Sequence, residues 1–135
     1  MKPALLFVFA LTALAADLVL VQPKDLLPQL ATHPPVIIHV GPNVLYRSHH
    51  IPGSIFAGPG FSGQGIEMLK AAVAKLPRDR EIVLYCGCCP WDHCPNVKPA
   101  AEALRGLGFT KVKALYLPTG FKVDWIDKNL PVEPR

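Results

Sequence analysis

The chain has 135 residues, 50% hydrophobic and 18% charged, which is enough apolar material for one packed domain and excludes a disordered polymer. Its formal charge of +4 comes from scattered lysines and arginines with no basic block interleaved with aromatics, so nucleic acid is not an expected partner. Fifteen prolines fall mostly between the apolar runs and favour many short elements joined by stiff turns.

At the N-terminus, Met1-Lys2 is followed by an apolar run from Pro3 to Ala16, with Ala13-Leu14-Ala15 just before the first acid, Asp17. This is the layout of a secretory signal peptide over residues 1–16, with cleavage near Ala15 or Ala16 and a mature domain over 17–135. The run is shorter than the ~20 residues of a membrane-spanning helix. The alternative is an uncleaved anchor or an N-terminal strand, and a membrane enters only through such an uncleaved segment. No cysteine follows the run at a cleavage point, so a lipoprotein anchor is not indicated. The expected setting is therefore exported, either periplasmic or secreted.

Leu18-Val19-Leu20-Val21 reads as a first strand and Pro23 to Leu30 as a short helix with proline at its start. Pro34-Pro35 breaks the chain before a second strand, Val36-Ile37-Ile38-His39-Val40, whose nearly unbroken apolar run suits a sheet covered on both faces. Gly41 to Gly65 is rich in glycine, proline and serine and holds one short apolar piece, Ser54-Ile55-Phe56-Ala57, the third strand. Ile66, Leu69, Ala72, Val73 and Leu76 recur at helical spacing and predict an amphipathic helix over 64–76. Glu81 to Cys86 is a buried strand. Asn96 is positioned to cap a helix carrying Pro99 in its first turn and ending at Gly106 or Gly108. Val112 to Leu117 is the last strand, and Gly120 to Asn129 a final helix with Trp125 and Ile126 facing inward. Alternating strands and helices predict an α/β fold with a mainly parallel sheet and helices on both faces.

All four cysteines lie in one stretch, Cys86-Gly87-Cys88-Cys89-Pro90-Trp91-Asp92-His93-Cys94-Pro95-Asn96. It leaves the carboxyl end of a buried strand and enters a helix, the edge of an open α/β sheet where ligands bind. Loop amides and the helix N-terminus would stabilise negative charge above Cys86 and lower its thiol pKa from the free value of about 8.5.

Four motifs in order carry a resemblance to the rhodanese family across nearly the whole mature chain. Ile82-Val83-Leu84-Tyr85-Cys86 resembles the family's strand and nucleophilic cysteine, and Ala100 to Phe109 its helix with a glycine-ended exit. His50-Ile51-Pro52-Gly53-Ser54 is similar to the H-I-P-G-[AS] turn, and Trp125 with Leu130-Pro131-Val132-Glu133 to the closing helix and tail. The resemblance implies a three-layer domain with a five-stranded sheet and a sulfurtransferase that needs no cofactor. In it the Cys86 thiolate takes sulfane sulfur from a donor such as thiosulfate, forms a persulfide and passes the sulfur to a thiol or other nucleophile. The partners would be a small-molecule or protein sulfur donor and a thiol acceptor. Cys86 would be catalytic, and Gly87, Cys88, Cys89, Trp91, His93, Asn96 and Lys98 would line the substrate site.

The chain departs from the family pattern twice. His39-Val40-Gly41 stands where the second strand usually ends in an acid followed by arginine. The loop is also longer than usual, and its closing arginine is replaced near Asn96, with Lys98, His93 or Arg47 as candidate sources of positive charge.

Cys88, Cys89 and Cys94 have three readings. They could resolve an oxidised Cys86 as redox partners. With Cys86 they could bind a thiophilic metal, copper or zinc, although C-x-C-C-x4-C is not the paired C-x2-C spacing of most zinc sites. They could form a structural disulfide in an oxidising compartment. His49 and His50 point opposite ways in an extended segment, so a structural role suits His50 better than ligation. His39 reads as a satisfied core or loop-facing histidine, Trp91 as a pocket wall or shield, and Asp92-His93 as a proton relay or an ordinary polar pair.

Overall fold

The computed structural model describes residues 17–135; the signal-peptide expectation over 1–16 lies outside them. In chain order the elements are β1 (Val19–Val21), α1 (Pro23–Leu30), β2 (Val36–His39), α2 (Asn43–Ser48), β3 (Ile55–Phe56) and α3 (Gly63–Val73). They continue with β4 (Ile82–Tyr85), a 3-10 turn (Trp91–His93), α4 (Val97–Gly106), β5 (Val112–Leu115), α5 (Phe121–Asp124) and a second 3-10 turn (Ile126–Lys128). All strand pairings are parallel and the sheet order is β1-β5-β4-β2-β3. This is the α/β architecture expected from the sequence.

The alternation of side chains along β4 divides the core in two. Ile82, Leu84 and Cys86 join Ile38, Val40, Val112 and Ala114 beneath α3 and α4, which contribute Leu69, Val73, Val97, Ala100, Ala101 and Leu104. Val83 and Tyr85 face the other way and pack with Ile37 and Leu115 against Leu26 of α1 and Phe121 and Trp125 at the C-terminal end. Helices on both faces explain why β4 is buried along its whole length. Among the described residues no helix is long and apolar enough to cross a membrane.

Two segments differ from expectation. The stretch read as a loop after β2 contains α2, a six-residue helix with no buried residue and so no apolar stripe to betray it. One side chain ties it down: Tyr46 stacks on His50 at 3.9 Å and donates its hydroxyl to the Ser54 carbonyl at 2.8 Å. The final helix is not continuous. It breaks at Trp125, whose backbone turns to φ −129, ψ −61 so that the fully buried indole can stack on Phe121 and donate Nε1–H to the Pro131 carbonyl at 2.8 Å. Asp124 folds back and accepts the N–H groups of Thr119 and Gly120 at 2.7 and 2.8 Å, closing the start of its own helix.

Candidate active site at the carboxyl end of the central strand

The crevice between β2 and β4 lies where the chain reverses direction across the sheet, since β2 leads outward to β3 and β4 leads the other way to β5. Cys86 emerges from β4 into this crevice, 4% exposed. The chain leaving β2 passes directly beneath it. A Cβ built on Gly41 would stand 3.1 Å from Cys86 Sγ and 3.0 Å from the His39 ring, so no side chain fits there. Gly87 has φ +72, a left-handed conformation that turns the loop away from the strand over Phe121.

His39 is 1% exposed, and its Nδ1 accepts the Gly41 N–H at 3.2 Å. Burial first, and then His50, lower its pKa from 6.5 to about 4, so the imidazole is neutral near pH 7. His39, Val40 and Gly41 thus set a neutral ring bracing a bare backbone under the sulfur. On the opposite face of β4, Tyr85 OH accepts the Ile51 N–H at 3.0 Å and bonds Ser54 Oγ at 3.1 Å. Burial pushes the phenol up to about 12. The His50 to Ser54 turn is therefore locked to the strand that carries Cys86. His50 itself is structural, with Nδ1 donating to the Tyr46 carbonyl at 2.8 Å and backbone bonds pairing it with Glu133.

Asn96 is where sequence and structure part most usefully. It stands at the N-cap position of α4 as expected, but its side chain makes no capping bond. It is 1% exposed; its Oδ1 accepts the Phe61 N–H at 3.2 Å, and its Nδ2 donates to Cys86 Sγ at 3.1 Å and reaches Cys88 Sγ at 3.7 Å. The Phe61 amide fixes which end of the side chain faces the sulfurs. A buried donor aimed at sulfur outcompetes a solvent-facing cap because an unmet buried amide is costly.

All four cysteines are free thiols; Cys88 is exposed, Cys89 and Cys94 half-buried. Their Sγ atoms lie within 4.8 Å of one another, with Cys86–Cys88 at 2.9 Å and Cys88–Cys89 at 2.8 Å. The 3-10 turn brings Cys94 back over Cys89, whose thiol donates to the His93 carbonyl at 3.6 Å. The Cys94 pKa is lowered to about 6, chiefly by hydrogen bonding from Cys86 and further by the Asn96 and Val97 amides. Facing Cys94, and desolvated, the Cys86 thiol is pushed up rather than down. Burial and Cys88 hold Cys89 up at about 12. The expected lowering of the Cys86 pKa is thus opposed by its hydrogen bond to Cys94 and by its burial.

Of the remaining sequence candidates, Trp91 is a wall: half-buried and edge-on to Tyr116 at 6.2 Å, it lines a narrow crevice with Cys86, Gly87, Cys89 and Cys94. His93, Asp92, Lys98 and Arg47 are exposed. Among the described residues none of these side chains bonds a sulfur of the cluster. A second groove, missed from sequence, reaches Gly87 from the other side and is lined by His39, Ser48, His49, Phe121 and Lys122. The placement of Ser48 on the inconspicuous helix α2, and of His49 at its end, hid this groove from pattern reading.

A family model for the rhodanese-like domain matches residues 22–123. Among solved structures, the BH2092 protein from Bacillus halodurans is similar at 24% identity and TM-score 0.66, over 85% of this chain and 76% of that one. The rhodanese-like domain of the Alr3790 protein from Anabaena sp. is 22% identical with TM-score 0.61, covering 87% and 80%. A variant of EanB in complex with ergothioneine has TM-score 0.68 at 18% identity, over 87% of this chain and 28% of that one. At these identities the neighbours share the fold. A search of curated proteins gave no match. The family model covers most of the chain, including the strand that delivers Cys86 and the helix that receives its loop, and the chain belongs to the rhodanese-like domain family.

Proposed function

We propose that the chain is a sulfurtransferase that carries sulfane sulfur on Cys86. The observation that supports this most is the pairing of Cys86 Sγ, at the end of the central strand, with the fixed Asn96 Nδ2 donor 3.1 Å away. A donor held at that distance favours an anionic sulfur, whether thiolate or persulfide. In the reaction, Cys86 loses its proton to solvent and its thiolate attacks the sulfane sulfur of a donor such as thiosulfate. The donor's S–S bond breaks, sulfite leaves with the bonding electron pair, and a Cys86 persulfide remains. A thiol acceptor then attacks the outer sulfur and displaces the Cys86 thiolate.

The groove lined by Leu45, Ser48, His49, Phe121 and Ile126 gives a largely apolar approach to Gly87, with Lys122 at its edge paired to Asp127. With residues 1–16 read as a leader, the setting is the periplasm or the exterior. Intact-mass spectrometry of the reduced chain before and after thiosulfate tests the reading. The gain of one sulfur atom, mapped to Cys86 and absent in Cys86→Ser, is the expected result; no gain in the wild-type chain defeats it.

A further inference from the structure

Three sulfurs crowd the proposed nucleophile, and the sulfur-transfer step uses none of them. Cys86, Cys88, Cys89 and Cys94 each offer one Sγ to a common centre, no two of them more than 4.8 Å apart. The closest pairs, at 2.8 and 2.9 Å, are nearer than the roughly 3.5–4.0 Å at which even nonbonded carbon atoms rest. They are also well beyond the ~2.05 Å of a disulfide. Four thiolates about 2.3 Å from one tetrahedral ion stand roughly 3.8 Å apart, a separation inside the range occupied here.

The surroundings suit a metal thiolate centre. Asn96 Nδ2 donates towards two of the four sulfurs, and its own orientation is fixed by the Phe61 amide. Such outer N–H donors hold ligand sulfurs in place and offset their charge. Among the described residues the side chains of Arg47, His93 and Lys98, the candidate sources of positive charge, bond none of the four sulfurs. Cys86 directly follows the last residue of β4, Cys94 closes the 3-10 turn ahead of α4, and Cys88 and Cys89 lie on the loop between them. A closed, all-sulfur set of this kind selects a soft cation over magnesium or calcium.

We propose that the four cysteines form a tetrathiolate site for one soft d10 cation, Zn(II) or Cu(I), and that its occupancy withdraws Cys86 from sulfur transfer. The second half rests on the sulfur-transfer reading; the first does not.

The test begins with the reduced full-length chain, titrated anaerobically with Zn(II) and separately with Cu(I), each against a chromophoric chelator, with bound metal counted by elemental analysis. One ion per chain is expected, and the Cu(I) arm should show thiolate-to-copper absorption in the ultraviolet. Retention of only one of the two metals identifies which cation the site takes. Asn96→Ala should weaken binding by about 10–100-fold as an outer donor, and the ligand variants Cys88→Ser and Cys89→Ser by more. Both ligand variants are at loop positions away from the buried core, and circular dichroism checks their fold. Binding of substoichiometric metal, or equal affinity in the cysteine variants, overturns the site.

Thiosulfate loading is then read by intact mass on metal-free and metal-loaded chains. Loading of the metal-free form alone supports masking, and equal loading of both overturns it. Failure of the metal-free chain to take up sulfur would overturn the sulfur-transfer reading and the masking role together, and would leave the metal titration to judge the site by itself.

Discussion

Asn96 joins Phe61 to Cys86: its carbonyl oxygen takes the Phe61 N–H at 3.2 Å while its amide nitrogen donates to Cys86 Sγ at 3.1 Å. One buried side chain thus connects the start of α3, the start of α4 and the end of β4. Replacing Asn96 with alanine leaves the Phe61 N–H without its partner and removes the amide donor from Cys86 Sγ. The variant should lose about 1–3 kcal/mol of stability in urea denaturation. It should also load sulfur more slowly from thiosulfate in single turnover. Unchanged loading would show that the amide contributes to packing alone.

Gly41 offers a sharper steric probe. Its missing side chain is replaced by Cys86 itself, whereas Gly63, at the start of α3, has open space around it. Gly41→Ala should cost about 1–3 kcal/mol through overpacking and displace the sulfur. Gly63→Ala should be neutral or stabilising by about 0.4–1 kcal/mol. Thermal melts and thiosulfate loading on the two variants make the comparison, and equal behaviour would remove the close approach from the account.

The buried His39 gives a pH dependence whose sign is fixed. Its folded pKa is depressed from 6.5 to about 4, so the folded state refuses a proton that the unfolded chain accepts. The stability it confers is complete above the unfolded value and falls as pH drops from about 6.5 towards 4. Over that interval the loss is about 3 kcal/mol. Denaturation midpoints measured across this range should decline in the wild-type chain. They should flatten in His39→Asn, which keeps an acceptor near Gly41 but does not titrate.

The thiols differ in exposure and should alkylate in that order. Cys88 is exposed and Cys86 is 4% exposed. Brief treatment of the metal-free reduced chain with iodoacetamide, mapped by peptide mass, should modify the loop cysteines ahead of Cys86, which reacts last. Early modification of Cys86 would mean that the loop opens far more readily than its packing indicates.

Much of this was legible because it depends on local pattern. The unbroken apolar run of β4 announced a strand covered on both faces, and its two-residue period set Cys86 on the α4 side. What was hidden depends on contacts between distant segments. Asn96 carried every sign of a helix cap, and only the Phe61 amide, 35 residues away, shows why its side chain turns inward. Helix α2 has no apolar stripe, and the final helix breaks where Trp125 needs a partner in Pro131, a demand that helical periodicity does not express. The cysteine spacing announced a cluster without saying that the chain would bring all four sulfurs within 4.8 Å of one another.

Tyr85 and Cys86 are neighbours on β4 that point to opposite faces, and the tyrosine hydroxyl is tied to Ile51 and Ser54. The strand end is therefore moored from behind. Evolution can therefore rewrite residues 87–95 for a new cargo, as an interchangeable tool head, without disturbing the shaft that holds it.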